Sequence, residues 1–201
     1  NKNIKMIDYF KDLGITHVQL LPINSFYGVD EEKKDLYYNW GYNPLEYMSL
    51  SGWYASKPND PYNKINEFKE LVDNYHLNNI GINLDVVFNH VYKHDMFSMG
   101  KIVPGYAYRC DQSGFLTNGS YCGNDLATER KMVRKLIIDT LKYYVEFYHI
   151  DGFRFDLMGL IDIETMKQIE KVLREINPNL MLYGEGWVMQ TGIKQSLLAS
   201  S

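Results

Sequence analysis

Helical and strand-like patterns alternate four times along this chain, and no hairpin-type turn joins any two of the strand-like runs. Ile4, Ile7, Phe10 and Leu13 recur at helical spacing ahead of Gly14, and residues 17–21 follow as a short β-rich run closed by Pro22. An irregular stretch rich in Asn, Tyr, Gly, Pro and Asp runs on to about Asn63. Ile65, Phe68, Leu71, Val72 and Tyr75 mark a second amphipathic helix, and residues 80–88 the strongest strand. A further long loop, with Gly and Ser scattered over 98–123, precedes a third helix, whose stripe is Met132, Val133, Leu136, Ile137, Leu141, Tyr144 and Val145. Residues 152–156 read as a strand. Asp162 then caps a fourth helix that ends at Asn177-Pro178, and 180–183 is the last strand. Residues 193–201 read as the start of another helix.

Strands separated by helices pair in parallel through right-handed crossovers, so the fold class is α/β. Either an open doubly wound sheet or part of a (β/α)8 barrel meets that order. Two strand-to-helix loops run to about forty residues each, far beyond an ordinary connection. Elaboration at the C-terminal ends of strands is where β/α folds build active sites. No GxGxxG or GxxxxGK[ST] follows a strand, which argues against nucleotide binding.

Composition narrows the partners. Twenty-one basic residues against 25 acidic give a net charge of −4, with no basic excess for nucleic acid. No apolar run approaches the roughly 18 residues that span a bilayer. The two cysteines, Cys110 and Cys122, lie outside any CxxC or His-rich cluster and read as free thiols, so structural zinc is not expected. The 17 Tyr, 9 Phe and 3 Trp stand out. Apolar sugar faces stack on such rings. The chain opens on Asn1 with no leader pattern, so the native N-terminus is expected upstream and localisation is not readable. The sequon at Asn118-Gly119-Ser120 is read as chance.

Three strand ends carry candidate chemistry. In 82–89 the apolar Ile82, Leu84, Val86 and Phe88 alternate with Asn83, Asp85, Val87 and Asn89, which puts Asp85 on the inner face, where a carboxylate needs partners. Asp85 is either a structural anchor for a loop or a substrate contact. His90 closes that strand and faces a long loop. Arg154 and Asp156 share one face of the next strand, and an Arg beside a carboxylate favours its ionised form, as a nucleophile requires; a structural ion pair is the plain alternative. Glu185 stands between Gly184 and Gly186, with Trp187 beside it. Adjacent parallel strands lie about 4.8 Å apart, so Asp156 and Glu185 can face one another. Retaining glycosidases hold two carboxyl groups about 5–5.5 Å apart, one to attack the sugar and one to protonate the leaving oxygen.

The stretches Asp85-Val86-Val87-Phe88-Asn89-His90, Gly152-Phe153-Arg154-Phe155-Asp156 and Gly184-Glu185-Gly186-Trp187 resemble the first three conserved regions of the alpha-amylase family of glycoside hydrolases (family 13), in the family's order. Tyr38-Asn39-Trp40-Gly41-Tyr42-Asn43-Pro44 is similar to the signature of the family's type I pullulanase branch. So are Cys122-Gly123-Asn124-Asp125 with Glu129-Arg130, and Leu157-Met158-Gly159. The likeness runs from about Gly14 to Trp187. It implies a partial (β/α)8 barrel, with residues 1–201 as part of a single catalytic domain whose N- and C-terminal portions lie outside the chain. It also implies Asp156 as nucleophile, Glu185 as general acid/base and Arg154 as the group that orients the nucleophile. His90 would hydrogen-bond the sugar, Tyr42 would stack under it, Trp187 would line the leaving-group side and Asp85 would organise its loop. The implied substrates are α-1,6 bonds in branched α-glucans, cleaved with retention. To donate first, Glu185 must carry a proton, which calls for a drier setting than that of Asp156.

The sequence departs from the pullulanase pattern at Asn43, Phe88 and Val91, none of them a carboxylate. The family's third catalytic carboxylate, in a His-Asp pair on a later strand, is absent, and the isolated chain is expected to be weakly active or inactive. The missing barrel half is expected from the rest of the native chain. No cofactor is required; calcium through Asn89, which some relatives use, is the lesser alternative. Rival readings are isoamylase, α-1,4 amylase or transglycosylase activity, a non-catalytic α-glucan-binding fragment, and a structural or partner-binding piece.

Overall fold

The computed structural model describes residues 6–36 and 38–200, apart from the side chain of Asp35. Ile4 and Ser201, used in the sequence reading, lie outside the described residues. The first helix, α1 (Met6–Leu13), ends where the Gly14 amide donates to the Lys11 carbonyl at 3.0 Å. Strand β1 (His17–Leu20) follows, then β2 (Asn24–Phe26), β3 (Pro44–Leu50), α2 (Asn63–His76) and β4 (Gly81–Val86). After a short helix α3 (Ser98–Ile102) come α4 (Lys131–Tyr148), β5 (Gly152–Phe155), α5 (Ile163–Ile176) and β6 (Met181–Gly184).

Four strands form one parallel sheet in the order β1-β4-β5-β6. Each strand therefore pairs with the next one of the sheet in the chain, with no reversal of order. A doubly wound sheet needs such a reversal; the uninterrupted order is that of a barrel wall. The helices complete it. Val133, Ile137, Leu141, Tyr144 and Val145 are buried along α4, which packs between α2 and α5. Asp162 caps α5 by accepting from the Thr165 amide at 3.0 Å, as its position predicts. Ile82, Leu84, Val86, Phe153 and Phe155 are buried in the same core as these helices. Each contributes roughly 1.5–3 kcal/mol of burial. Gly152 is needed for proximity, since a Cβ there would lie 2.5 Å from Asn83 Oδ1 and 2.7 Å from Met181 Cβ.

Two expectations fail. Residues 24–63 are not simply irregular: β2 pairs antiparallel with β3, with register shifts at both steps. A three-residue strand shows no alternation, and its partner lies beyond the connection 27–43 rather than a tight turn, so no local signal marks the pair. Residues 193–200 do not start a helix but hold a single turn at Gln195–Leu197. There the Ala199 amide is taken by the Ile161 carbonyl at 2.8 Å and Leu198 bridges Asp162, which draws the backbone out of helical geometry.

Candidate active site

Sheet register brings the candidates together. Asp85 lies opposite Arg154, and Asp156 and Glu185 each stand one residue past the adjacent ends of β5 and β6. Their amides continue the ladder, Asp156 onto the Val86 carbonyl at 3.0 Å and Glu185 onto that of Phe155 at 3.1 Å.

One guanidinium serves all three carboxylates. Arg154 Nη1 lies 2.8 Å from both oxygens of Asp85 and 3.0 Å from Asp156 Oδ1, while Nη2 pairs with Glu185 Oε1. Burial works against the Arg154 charge, but these three partners outweigh it and hold its pKa above the usual value. Asp85 is 1% exposed, and burial pushes its carboxyl up while bonds from Tyr42 and Arg154 pull the other way. The Tyr42 hydroxyl donates to Asp85 Oδ2 at 2.6 Å, and burial, with that neighbouring carboxylate, raises the phenol. Asn89 Nδ2 donates to Asp156 Oδ2 at 2.8 Å and to its carbonyl at 2.9 Å. Both oxygens of Asp156 are thus engaged from fixed directions, leaving little rotational freedom.

His90 is buried, with Nδ1 2.6 Å from Asn89 Oδ1 and Nε2 3.0 Å from the Tyr42 carbonyl. Burial lowers its pKa against the pull of Tyr42 and Asp156. Since both ring nitrogens face protein oxygens, a sugar hydroxyl reaches His90 only by displacing one of them. Glu185 Oε2 accepts from the Leu157 amide at 3.1 Å, and the Glu185 carbonyl from the Gly159 amide at 2.9 Å. Leu157 holds that amide in place from a left-handed conformation (φ 41°, ψ 47°), which costs a side-chain-bearing residue about 1–2 kcal/mol. The Glu185 side chain is 32% exposed and that of Asp156 13%. Among the described residues Asp156 is flanked by strands on both sides and Glu185 on one.

These groups open into a cavity of about 580 Å³ walled by Leu21, Tyr38, Trp40, Tyr42, His90 and Cys122, with Arg154, Asp156, Leu157 and Glu185 along its base. Asp85 lies beneath that base. Trp187 stands outside the lining and is 64% exposed. The sequence reading named neither Leu21, Tyr38, Trp40, Cys122 nor Leu157 as a wall; Tyr38 and Trp40 were within reach, since they flank Tyr42 in the same motif. A second cavity of about 350 Å³ between β1 and α2 is largely apolar, and its charged residues, Lys64 and Glu67, are already bonded to Leu50 and Ser56. Both cysteines are free. The Asn89 amide donates to Asp156 and its oxygen faces His90 Nδ1, and among the described residues no three His, Cys, Asp or Glu side chains form a metal cluster.

The chain matches no family model. It is 48% identical over 183 residues to the pullulanase of Bacillus subtilis, an alignment that takes in 91% of this chain and 26% of that protein. The crystal structure of pullulanase type I from Bacillus subtilis complexed with maltose superimposes with a TM-score of 0.95 at 46% identity, covering 96% of this chain and 27% of that one. Pullulanase from Paenibacillus barengoltzii, in complex with maltohexaose and alpha-cyclodextrin, gives 0.94 at 44% identity, over 96% of this chain and 30% of its own. The chain spans about a quarter of the length of the curated pullulanase from Bacillus subtilis.

Proposed function

We propose that this chain, a homologue of pullulanases over nearly its whole length, forms part of a (β/α)8 catalytic domain that hydrolyses α-1,6 bonds in branched α-glucans with retention. The observation that carries the reading is the Arg154 guanidinium bridging Asp156 and Glu185 at the ends of adjacent parallel strands. Asp156, held by Arg154 and Asn89, attacks the anomeric carbon as the bond to the glycosidic oxygen breaks. Glu185, released from Arg154 and protonated from solvent, delivers its proton to that oxygen. Water then attacks the same carbon, Glu185 receives its proton, and Asp156 departs with the bonding pair. Tyr42 and His90 border the sugar, and Trp187 meets the leaving portion. The third carboxylate and the other barrel strands come from the rest of the protein, and no cofactor takes part.

Pullulan digestion by the full-length protein that carries this segment tests the reading. Cleavage at α-1,6 bonds releases maltotriose, whereas α-1,4 cleavage leaves linear trisaccharides that retain one α-1,6 bond and points to a sister activity. Sugar binding unaffected by Asp156→Asn, with no turnover, would favour a glucan-binding role.

A further inference from the structure

Glu185 stands just past an edge strand, with strand pairing on one side only among the described residues. The loop 105–130 reaches the turn 157–160 that holds Glu185 and the segment 190–192 beyond it, and its charged residues take no part in lining the cavity. The Arg109 side chain is 1% exposed. Its Nε and Nη2 each lie 3.0 Å from Glu129 Oε2, Nη2 also donates to Thr128 Oγ1 at 3.0 Å, and Nη1 donates to the Leu160 carbonyl at 2.6 Å. Leu160 closes the turn onto Leu157, whose amide holds Glu185. A Cβ on Gly159 would lie 1.9 Å from the Trp187 carbonyl oxygen, so this turn and the segment after Glu185 touch with no space between them.

The same loop holds that segment further on. Asp125 is fully buried and accepts from the Gly119 and Ser120 amides at 2.8 Å each and from Thr191 Oγ1 at 2.7 Å. A Cβ on Gly119 would come within 2.4 Å of the Gln190 carbonyl. Asn124 bonds the Val91 backbone in both directions, at 3.0 and 2.7 Å, one residue beyond His90.

We propose that the loop 105–130 is a clasp that sets the position of Glu185, with Arg109 and Asp125 as its positioning residues. The inference rests on the glycosidase reading above. A general acid must meet the leaving oxygen within hydrogen-bond reach, and an ångström of misplacement costs far more in proton transfer than in binding. Arg109 suits the task because a planar fork reaches Glu129, Thr128 and Leu160 together, which the point charge of Lys does not.

The test exploits substrates that differ in their need for a proton. An α-maltotriosyl fluoride reacts when Asp156 displaces fluoride, which leaves with the C–F bonding pair unprotonated. Added azide then attacks the anomeric carbon without a general base, releasing Asp156 and giving a glycosyl azide. In the full-length protein, Arg109→Lys is expected to lower kcat on pullulan by about 10- to 100-fold while turnover of the fluoride with azide stays within about three-fold of the parent. Thr191→Val, which removes one hydroxyl from Asp125 at a partly exposed site, is expected to show a smaller loss of the same pattern. Equal losses on both substrates, or none on either, would overturn the proposal. A parent protein inactive on both would instead reject the glycosidase reading itself, and this inference with it.

Discussion

Asp85 and Arg154 face each other across β4 and β5, with one guanidinium nitrogen 2.8 Å from both carboxylate oxygens. Asp85 is buried below the cavity, so this pair anchors the guanidinium from beneath while its exposed side reaches Asp156 and Glu185. The site is thus a single electrostatic unit rather than two carboxylates set independently.

Removing the shared cation should therefore be severe. Arg154→Ala leaves Asp85 buried and unpaired, which is expected to cost about 3 kcal/mol of stability. Asp85→Asn in the same background should restore part of it, because a neutral amide needs no counter-ion. Urea unfolding of the single and double variants checks this, and equal destabilisation in both would speak against the anchoring role.

Tyr42 joins two functions that substitution can separate. Tyr42→Phe keeps the ring in the cavity wall and removes the 2.6 Å bond to Asp85, so kcat should fall by a few-fold, about 1 kcal/mol, with KM little changed. Tyr42→Ala removes the stacking face as well and should raise KM. Steady-state kinetics on pullulan distinguish the two.

His90 gives the fold a pH dependence of definite sign. Its folded pKa lies below 6.5, so as pH falls through that value the unfolded chain takes up a proton that the folded chain does not. The stability is complete above pH 6.5 and declines below it, by at most about 1.4 kcal/mol per pH unit from this group. Unfolding between pH 7.5 and 5.5 should show a shallower decline in His90→Gln than in the parent.

Much of this architecture was legible because it is written in local patterns. The alternation around Asp85, the stripe of α4 and the cap at Asp162 each report a period or a spacing, and the structure carries all three. The β2–β3 ribbon was hidden because short strands joined by a long connection leave no period. Arg109 was hidden for a related reason: it stands between Tyr108 and Cys110 in a loop, and its partner Leu160 lies far along the chain.

In the proposed mechanism Asp156 bears the sugar and Glu185 moves the proton. The most direct measurement is the mass of a Glu185→Gln variant of the full-length protein incubated with α-maltotriosyl fluoride. The activated leaving group permits the first step and the missing base stalls the second, so the account predicts a maltotriosyl adduct that maps to the peptide containing Asp156. An adduct on another residue, or free turnover of pullulan by that variant, would contradict it.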